Sequence, residues 1–508
     1  MITSFTFFDD FCLQQRHQLK RRFFTLNPIW DSGYNDPLFR SSYSTIRYIP
    51  DEDKYYMWAS LNTVFCNLNN GISEQCILAL AESKDGIHYE RSEGTVSGFD
   101  PIKNVVYAGF GHSIHGPTVL FDPEDPDPQR RFKCAAALDE PGRIMAYSPC
   151  IISTSPDGKH WAHNDCKYTW SNYWSDSYNT LIWNPVLKCY QVFCRAVGTD
   201  RRICTVTSKD LIHWSEPRLI IHPDTMDAPG TEFYGMPVHY HNGIFYGYLW
   251  IFDTDDEDPV AYKMAGRMRC ELTYSYDGLC WLRTRQSPVS FNDYEGAGYG
   301  VFDYALYNTI MNKNGDMWLT AGTFCRGGHG ENLYISKDPN HLPSAMTTGD
   351  PEASKRLIST IKPGRFCGLE SIGLSGRLRT KNFLLDKDGE VPVFNVACPF
   401  GEMRVQLCDT RNRPVKGFTF ADSVPFRGNE LAYKPLWKEH CIEETRGKLY
   451  NMEVELYNGC IFAVTGSMKP FHSALPQFSY GNVNSAAKEV WGTLEKAPDY
   501  DALELVSK

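Results

Sequence analysis

Short hydrophobic runs broken by turn residues dominate the first 345 positions of the chain. In NTLIWNPVLKCYQVFCRAV, PVHYHNGIFYGYLWIF and NTIMNKNGDMWLTAGTF, two apolar or β-branched segments flank an Asn-Pro or Asn-Gly turn. Segments of this length with turn residues between them are typical of antiparallel strands. Because helical periodicity is weak throughout this region, the pattern predicts a fold built of short strands.

One seven-residue motif recurs along the same region and gives its repeat length. SKDGIHY, SPDGKHW, SKDLIHW, SYDGLCW and SKDPNHL begin at intervals of 53 to 72 residues, at Ser83, Ser155, Ser208, Ser275 and Ser336. Such intervals fit a four-stranded propeller blade with generous loops. In the copies at 83, 155 and 275 the Asp and a following Gly favour a tight turn. We expect the Trp or Tyr that closes every copy but the last to start the outer strand and pack between blades. The motif therefore indicates structure, not chemistry, and five copies predict five blades.

The pattern changes after residue 345, where the motif does not recur. Strands there alternate with turns roughly every 8–12 residues, which is typical of a β-sandwich. We therefore predict an all-β chain. A five-bladed β-propeller occupies residues 1–345, a C-terminal β-sandwich domain residues 346–470 and a polar tail residues 471–508.

Charge and composition narrow the partners and the location. The chain has 51 basic and 61 acidic residues, a formal charge of −10 and no basic stripe, which argues against a nucleic-acid partner. Its first residues lack the apolar run of a signal peptide, and no stretch approaches the ~18 apolar residues of a membrane span. The 17 cysteines are scattered without a Cys-x-x-Cys pair. We therefore expect reduced thiols in a cytoplasmic protein, with no metal or other cofactor and no membrane partner.

Several longer segments resemble a known superfamily. FTFFDDF with NPIWD, DPDPQRRFK, RRICTVTSKDLIHWS and VQLCDTRNRPVKGF are similar to segments of the five-bladed β-propeller glycosidases. The likeness is closest to uncharacterised bacterial proteins of the glycoside hydrolase family 32- or 43-like type, and it extends to about residue 466. It implies a glycosidase with carboxylates on the innermost strands, around a central tunnel. The Trp-x-Asn-Asp-Pro-Asn-Gly box of family 32 is matched only in part by GYNDPLF, so fructosidase activity is not implied.

The resemblance makes the first acidic residue of each blade a candidate catalytic group. Cleavage of a glycosidic bond needs a protonated acid at the leaving oxygen and a second carboxylate as base or nucleophile. The first blade offers Asp31 or Asp36, which the sequence does not separate, the third offers Asp176 and the fourth offers Glu232. The alternative for each aspartate is a turn-capping role.

Glu232 is the candidate acid because it precedes an aromatic pair whose apolar faces would raise its pKa. Asp36 or Asp31 would then be the base or nucleophile, and Asp176 would orient the substrate and hold the pKa of the acid. The alternative is that Glu232 is an ordinary glutamate beside aromatic residues in a surface loop.

Other residues near the blade openings are candidates for substrate binding. They are His112, His115, Arg195, Tyr234, Asp303 and His329. The two histidines stand where the second blade begins, Arg195 ends a predicted strand, and Asp303 opens the last blade. His329 lies among glycines that allow a ligand to approach closely. A lone histidine is more often structural than a ligand, which is the alternative for each of the three.

These residues favour an exo-acting glycoside hydrolase acting on a terminal furanoside, such as fructosyl or arabinosyl, of small oligosaccharides or glycosides. One alternative is a phosphorylase of the family 130 type, with a cationic pocket drawn from Arg201, Arg202, His115 and His329. Another is a propeller that binds carbohydrate without catalysis, because a fold does not fix a function. The expected partner is a small carbohydrate, and self-association into homo-oligomers stays open.

Overall fold

The computed structural model is all-β within the residues that it describes. Those residues are 2–32, 43–62, 76–100, 102–109, 113–139, 150–162, 169–171, 175, 177–195, 201–254, 266–290, 302–326 and 354–470. The chain divides into two compact units, one of Thr25–Pro363 and one of Met1–Phe24 with Gly364–Lys508. Within the described ranges, no helix has the length and hydropathy needed to cross a membrane.

Four short strands open the chain and are divided between the two units. They are β1 (Thr3–Thr6), β2 (Leu13–His17), β3 (Lys20–Phe23) and β4 (Asn27–Asp31). The first three pair with strands from the C-terminal part of the chain, whereas β4 joins the last blade of the propeller.

The unit Thr25–Pro363 consists of five antiparallel sheets, the blades, whose strands follow one another in the chain. Blade 1 contains β5 (Ser44–Ile49), β6 (Lys54–Asn62), β7 (Cys76–Ser83), β8 (Glu90–Arg91) and β9 (Val105–Tyr107). Blade 2 contains β10 (Ser113–Phe121), β11 (Phe132–Asp139), β12 (Cys150–Ser155) and β13 (Thr169–Ser171). Blade 3 contains β14 (Thr180–Asn184), β15 (Cys189–Arg195), β16 (Ile203–Ser208) and β17 (Arg218–Ile221). Blade 4 contains β18 (Thr231–Gly235), β19 (Val238–His241), β20 (Ile244–Thr254), β21 (Gly266–Ser275) and β22 (Trp281–Arg283). Blade 5 contains β23 (Phe302–Met311), β24 (Trp318–Arg326) and β25 (Ser354–Ile361), with β4 at its outer edge.

Two features show that the blades form a closed ring. Each innermost strand lies beside the innermost strands of both neighbouring blades, in the order β5, β10, β14, β19, β23 and back to β5. The outermost strand of blade 5 is β4, which pairs antiparallel with β25 from Asn27 opposite Thr360 to Asp31 opposite Leu357. A strand from the start of the chain therefore closes the last blade. The predicted five-bladed propeller is confirmed.

The repeated motif is a hydrogen-bonded turn that joins neighbouring blades. In SPDGKHW the Ser155 hydroxyl accepts the Gly158 N–H at 2.8 Å, and Asp157 accepts two further backbone N–H groups at 2.8 Å. The indole N–H of Trp58, in blade 1, donates to the Gly158 carbonyl oxygen at 2.8 Å. The hydrogen bond to the Ser hydroxyl and the two hydrogen bonds to the Asp carboxylate recur in the copies at 83, 208 and 275. The copy at 336 lies outside the described residues. The structural interpretation of the motif is confirmed for four copies.

The aromatic residue that closes the motif packs between blades, as expected. Trp161 of blade 2 stacks on Tyr107 of blade 1 with ring centroids 5.7 Å apart, and Trp281 of blade 4 meets Phe193 of blade 3 edge-on at 5.6 Å. The third copy has Leu211 where the copies at 83, 155 and 275 have glycine, yet its φ is +67°. Because Leu211 is fully buried, about 2 kcal/mol of apolar burial offsets the roughly 1–2 kcal/mol cost of the left-handed conformation.

Substitution of Gly158 tests how much this turn contributes to stability. At its φ of +74° an added Cβ would lie 2.6 Å from Cζ2 of Trp58. Gly158→Ala should lower the free energy of unfolding by about 2–4 kcal/mol, through backbone strain and overpacking. Gly315 also has a φ of +74° but open space around its Cβ position, so Gly315→Ala should cost only about 1 kcal/mol. Urea denaturation measures both, and equal losses would show that the Trp58 contact contributes nothing.

Two histidines lie in the interface between blades 4 and 5. His239 and His241 project from β19 onto Trp318 of β24, with ring centroids 5.0 and 5.1 Å apart. His239 also stacks on Tyr246, with centroids 5.0 Å apart. Burial lowers the pKa of His239 to about 3 and that of His241 to about 4. The folded chain therefore holds both rings neutral at pH values where the unfolded chain would bind protons.

Acid should weaken the fold at this interface. The contribution of both histidines is complete above their ordinary pKa of about 6.5 and declines as the pH falls towards the folded values, by up to about 1.4 kcal/mol per pH unit for each ring. His239→Phe keeps an aromatic ring against Tyr246 but cannot take up a proton. Between about pH 7 and pH 5 the variant should lose roughly 2 kcal/mol less stability than the wild type. Thermal unfolding at both pH values measures this, and identical losses would exclude a contribution of His239.

The second unit is a ten-stranded antiparallel sheet around one hydrophobic core. Besides β1, β2 and β3 it contains β26 (Cys367–Thr380), β27 (Phe383–Leu385), β28 (Val393–Ala397), β29 (Glu402–Cys408), β30 (Asn429–Tyr433), β31 (Leu449–Gly466) and β32 (Met468–Pro470). The long β31 is the centre of the sheet and pairs with β1, β26, β27, β28 and β29. Phe5 of β1, Leu378 of β26 and Met452 of β31 meet in the core.

The unit boundaries differ from those predicted, which were 1–345 and 346–470. Residues 1–24 belong to the second unit because β1 pairs with β31, and β2 and β3 pair with β26. The propeller unit reaches residue 363 because β25 is the third strand of blade 5. The pairings of β1, β2 and β3 join strands that lie hundreds of residues apart, so the local pattern of the sequence carries no sign of them.

Candidate active site

The propeller brings its blade openings to one end of the central axis. Four antiparallel strands return the chain to the end of the blade where it began, so each innermost strand starts at the same end. Four of the predicted site residues lie outside the described residues, namely Asp36, His112, Asp176 and His329. Asp303 is the second residue of β23, with its backbone opposite Cys325. The structure describes the side chains of the other five, which are Asp31, His115, Arg195, Glu232 and Tyr234.

Glu232 is a buried carboxylate at this end of blade 4. It is the second residue of β18, opposite Phe252 of β20, and only 5% of it is exposed. The guanidinium of Arg201, from blade 3, binds its carboxylate in a hydrogen-bonded ion pair. The carbonyl oxygen of Arg201 also accepts the Phe233 N–H at 2.9 Å. Glu232 is therefore fixed both by its own strand and by the neighbouring blade.

The rings of Tyr234 and Phe252 lie beside the Arg201 guanidinium of this ion pair, and Arg195 lies against the Tyr234 ring. The guanidinium carbon of Arg195 lies 4.8 Å from the centre of the Tyr234 ring. That of Arg201 lies 5.4 Å from the Tyr234 ring and 5.2 Å from the ring of Phe252. Arg195 is the last residue of β15 and is buried. The structure thus brings two predicted binding residues, Arg195 and Tyr234, to the surroundings of Glu232.

The side chain that the structure places on the Glu232 carboxylate is the Arg201 guanidinium. The Phe233 side chain packs in the core between blades 3 and 4, with the Arg283 guanidinium carbon 4.8 Å from its ring centre. Arg201 makes a hydrogen-bonded ion pair with the Glu232 carboxylate in a poorly solvated position.

Asp31 lies on the outside of the ring. It ends β4, the outermost strand of blade 5, opposite Leu357, and the Nζ of Lys355 lies 3.4 Å from its Oδ2. Three strand spacings of about 4.8 Å, roughly 14 Å in all, separate β4 from the innermost strand β23. Asp31 is therefore not a carboxylate of the inner ring. Of the two first-blade alternatives this leaves Asp36, which lies outside the described residues.

Aromatic side chains from all five blades meet on the axis of the ring. Tyr43, which precedes β5, lies at the centre of this axial cluster. Its ring centroid is 5.9 Å from His115 of β10, 5.9 Å from Tyr178 before β14, 6.2 Å from Trp250 of β20 and 6.1 Å from Tyr307 of β23. The tyrosines and the tryptophan are at most 8% exposed. These five residues, one from each blade, fill the centre of the ring at their level.

Hydrogen bonds hold the axial cluster in place. The Tyr178 hydroxyl donates to the Ser44 carbonyl oxygen at 2.9 Å, and the Trp250 indole N–H donates to the Leu306 carbonyl oxygen at 2.9 Å. His115, predicted to bind substrate, is a member of this cluster. Its ring therefore contributes to the packed floor beneath the blade openings.

A glycine fixes the opening of blade 3 against blade 2. Gly116 in β10 has a φ of +58°, and an added Cβ would lie 1.6 Å from the Ser177 carbonyl oxygen. The Gly116 carbonyl oxygen accepts the Asn179 N–H at 2.9 Å, and the Thr118 hydroxyl donates to the Asn179 carbonyl oxygen at 2.5 Å. Only glycine permits this close backbone approach. It sets the position at which β14 enters the inner ring.

A cavity of about 360 Å³ adjoins Glu232 on the side of blade 3. Its lining comprises Arg202, Leu219, His222, Pro223, Pro229, Thr231 and Glu232. Because Leu219 lies on the outermost strand of blade 3 and Glu232 on β18 at the edge of blade 4, the cavity lies along the interface of the two blades.

Metal-binding groups are not apparent in the part of the chain that the structure describes. Within that part, no group of three His, Cys, Asp or Glu side chains is placed to hold a metal ion. The described cysteines are free thiols.

Sequence reasoning missed two parts of this site. From the sequence Arg201 is a candidate only for phosphate binding, because its partner Glu232 lies in another blade. Of the axial cluster, only His115 is a candidate from the sequence, and as a binding residue. The sequence did contain one indication of the axial cluster: Tyr43 and Tyr178 directly precede the innermost strands of two blades.

Comparison with known proteins adds a likeness in fold. No family model and no curated protein matches the sequence. One similar solved structure is a glycoside hydrolase family 43 arabinoxylan arabinofuranohydrolase from Bacillus subtilis, at 10% identity and a TM-score of 0.37, covering 86% of this chain and 97% of that one. Another is a thermostable family 43 glycoside hydrolase, at 11% identity and a TM-score of 0.41, covering 65% and 92%. A third is an N-acetylgalactosamine deacetylase from F. plautii, at 14% identity and a TM-score of 0.40, covering 69% and 97%. At such scores these likenesses carry no argument about chemistry, which rests on the side chains.

Proposed function

We propose that the chain is a glycoside hydrolase that releases a terminal sugar from small oligosaccharides or glycosides. The observation that carries the proposal is the Glu232 carboxylate, 5% exposed and paired with Arg201 at the end of the axis where the blades open. A buried carboxylate beside a cavity and a charged partner can take part directly in proton transfer or covalent chemistry. The resemblance of the sequence motifs to propeller glycosidases supports the same class of reaction.

In this proposal Glu232 acts in its ionised form. As a base it takes a proton from the water that attacks the anomeric carbon. As a nucleophile it forms a glycosyl ester that water then cleaves. In either case a protonated carboxyl group from another blade opening donates its proton to the leaving glycosidic oxygen. Asp36 and Asp176 are the candidates for that acid, and Asp303 is a candidate for binding sugar hydroxyls.

The axial cluster supports the proposal of exo action. Its packed rings close the centre of the ring beneath the blade openings, so a substrate that enters from the open end meets a floor. A site that ends in a floor accepts the end of a chain and not its middle. Aromatic rings at the floor also suit the apolar faces of a sugar.

A screen of the full chain against 4-nitrophenyl glycosides tests the proposed function. We expect furanosides, fructosyl or arabinosyl, to react faster than pyranosides, and chromatography of digested oligosaccharides to show single sugars as the first product. Internal fragments among the first products would contradict exo action. Binding of a sugar by calorimetry without turnover of any glycoside would instead favour a non-catalytic carbohydrate-binding propeller.

The arginines around Glu232 favour a phosphate-dependent glycoside phosphorylase as a second candidate. Arg201 binds its carboxylate, Arg202 lines the same cavity, and Arg195 lies against the ring of Tyr234. Guanidinium groups bind phosphate well. In that reaction phosphate, in place of water, attacks the anomeric carbon. Turnover that requires inorganic phosphate and yields a sugar 1-phosphate would identify the phosphorylase, and turnover without phosphate would identify the hydrolase.

A further inference from the structure

The cavity beside Glu232 is apolar on the side formed by β17 and the segment that follows it. Its volume of about 360 Å³ falls in the range of small-molecule sites, roughly 300–1,000 Å³. Leu219, Pro223 and Pro229 line this side. Leu219 is 41% exposed, so the fold leaves a large apolar side chain uncovered next to a buried carboxylate. Apolar walls with few polar groups are the usual construction of a small-molecule site.

The wall formed by residues 222–230 is held in position by ion pairs. Asp227 binds Arg283 at 2.5 Å and Arg285 at 2.6 Å, and Asp224 binds Arg285 as well. The Asp227 N–H also donates to the Asp224 carbonyl oxygen at 3.0 Å. The cavity is therefore preformed, and a ligand would not have to order this segment.

The hydrogen-bonding state of His222 is set by its neighbour in the chain. Its Nδ1 lies 2.6 Å from the Pro223 carbonyl oxygen, which can only accept, so Nδ1 carries the proton. In the neutral ring Nε2 is then an acceptor. A ligand that pairs with this nitrogen must donate a hydrogen bond, as a hydroxyl group does.

We propose that this cavity binds a neutral phenolic ring of the substrate, either the aglycone of a glycoside or an aromatic acyl group on the sugar. Its role in turnover rests on the proposed function, because the ring would lie next to the bond on which Glu232 acts. Leu219 and the rings of Pro223 and Pro229 contact the ring, since proline and aromatic rings pack well on each other. The phenolic hydroxyl donates to Nε2 of His222.

Titration of the full chain with three small aromatic molecules, followed by NMR of the ligand, tests this proposal. In 4-methoxyphenol an ether oxygen stands for the glycosidic bond, and in methyl 4-hydroxycinnamate an ester stands for an acylated sugar. The third molecule, 1,4-dimethoxybenzene, has no hydrogen-bond donor. We expect at least one phenol to bind about fivefold more tightly than 1,4-dimethoxybenzene, the effect of one hydrogen bond. The phenol that binds more tightly identifies the source of the ring.

Two variants separate the groups that carry this binding. Leu219→Ser removes the apolar contact and should weaken binding of all three molecules by about fivefold. His222→Phe keeps a ring but has no acceptor, so it should abolish the preference for the phenols. Leu282 gives the matched control, because it is 46% exposed on β22, the outermost strand of blade 4, and does not line the cavity. Leu282→Ser should leave binding unchanged.

Three results would overturn the proposal. They are phenols that bind no better than 1,4-dimethoxybenzene, equal losses in Leu219→Ser and Leu282→Ser, and a preference for phenols that survives in His222→Phe. Because binding is measured without turnover, these results do not depend on whether the chain cleaves any glycoside. Failure of the proposed function would appear instead in the screen of 4-nitrophenyl glycosides.

Discussion

Glu232→Gln should abolish turnover and leave the chain folded. The amide keeps the shape of the side chain and still accepts a hydrogen bond from Arg201, but it cannot act as a base or nucleophile. Loss of a group that transfers a proton or forms the covalent intermediate costs about 10²–10⁴ in rate, so we expect kcat to fall roughly 10³-fold. Initial rates on the best glycoside of the screen measure the loss, and circular dichroism confirms the fold.

Glu271 provides a matched control for this substitution. It lies in β21 of the same blade, is 2% exposed and is paired with Arg283 at 2.7 Å. Glu271→Gln makes the same chemical change away from the inner ring, so it should lower stability but leave kcat of the folded protein within about twofold of the wild type. If Glu232→Gln retained more than about a tenth of the wild-type kcat, Glu232 would have no catalytic role.

Lys133→Met should produce the largest loss of stability among the substitutions considered. The Lys133 ammonium is fully buried and binds Asp122 at 2.9 Å, Asp125 at 2.8 Å and the Arg130 carbonyl oxygen at 2.7 Å. Methionine fills the same space without the charge and leaves two aspartates without their main partner. Breaking a buried ion pair in this way costs about 3–5 kcal/mol. Urea denaturation at neutral pH measures the difference in free energy of unfolding.

The pH dependence of this difference gives a second readout. Burial raises the pKa of Asp125, but the hydrogen bond and charge of Lys133, with other donors, more than offset it and hold that pKa below its ordinary value of 3.8. The stabilisation is therefore complete above the unfolded pKa and is lost as the pH falls through the folded one. The gap between Lys133→Met and the wild type should narrow below about pH 4.

Lys54 supplies the control for this prediction. Its side chain is 39% exposed, and it binds Glu82 at 2.8 Å at the surface of blade 1. Exposed ion pairs contribute little, so Lys54→Met should cost less than about 1 kcal/mol. Equal losses in the two variants would show that burial of the Lys133 network does not govern its contribution.

The sequence was most informative where structure depends on neighbouring residues. The Ser-x-Asp-Gly turns could be predicted because Ser155, Asp157 and Gly158 bond to one another within four positions. The hairpins between them follow from turn residues flanked by β-branched and aromatic runs. Repetition of these local units then gave the number of blades and, with it, the strands that begin at the inner ring.

What could not be predicted depends on contacts between distant parts of the chain. Asp31 looks like the start of blade 1 in the sequence, but β4 is bound to Leu357 and its neighbours in blade 5. The aromatic residues after Glu232 are visible in the sequence, whereas its ion pair with Arg201, 31 positions away in blade 3, is not. Local patterns do not encode which strand edges lie side by side in the fold. The charged neighbours of a site residue depend on that arrangement, so they could not be predicted from the sequence.

Closure of the last blade by β4 has a consequence for how the chain matures during its synthesis. β4 leaves the ribosome early, yet its partner β25 is complete only when residue 361 has been added. The partners of β1, β2 and β3 are β26 and β31, which are synthesised later still. Pairings of such long sequence separation form slowly, and until then the nascent chain carries unpaired strand edges that promote aggregation. Neither unit can mature co-translationally from its own N-terminal half, so chaperones that shield nascent chains should strongly affect its yield.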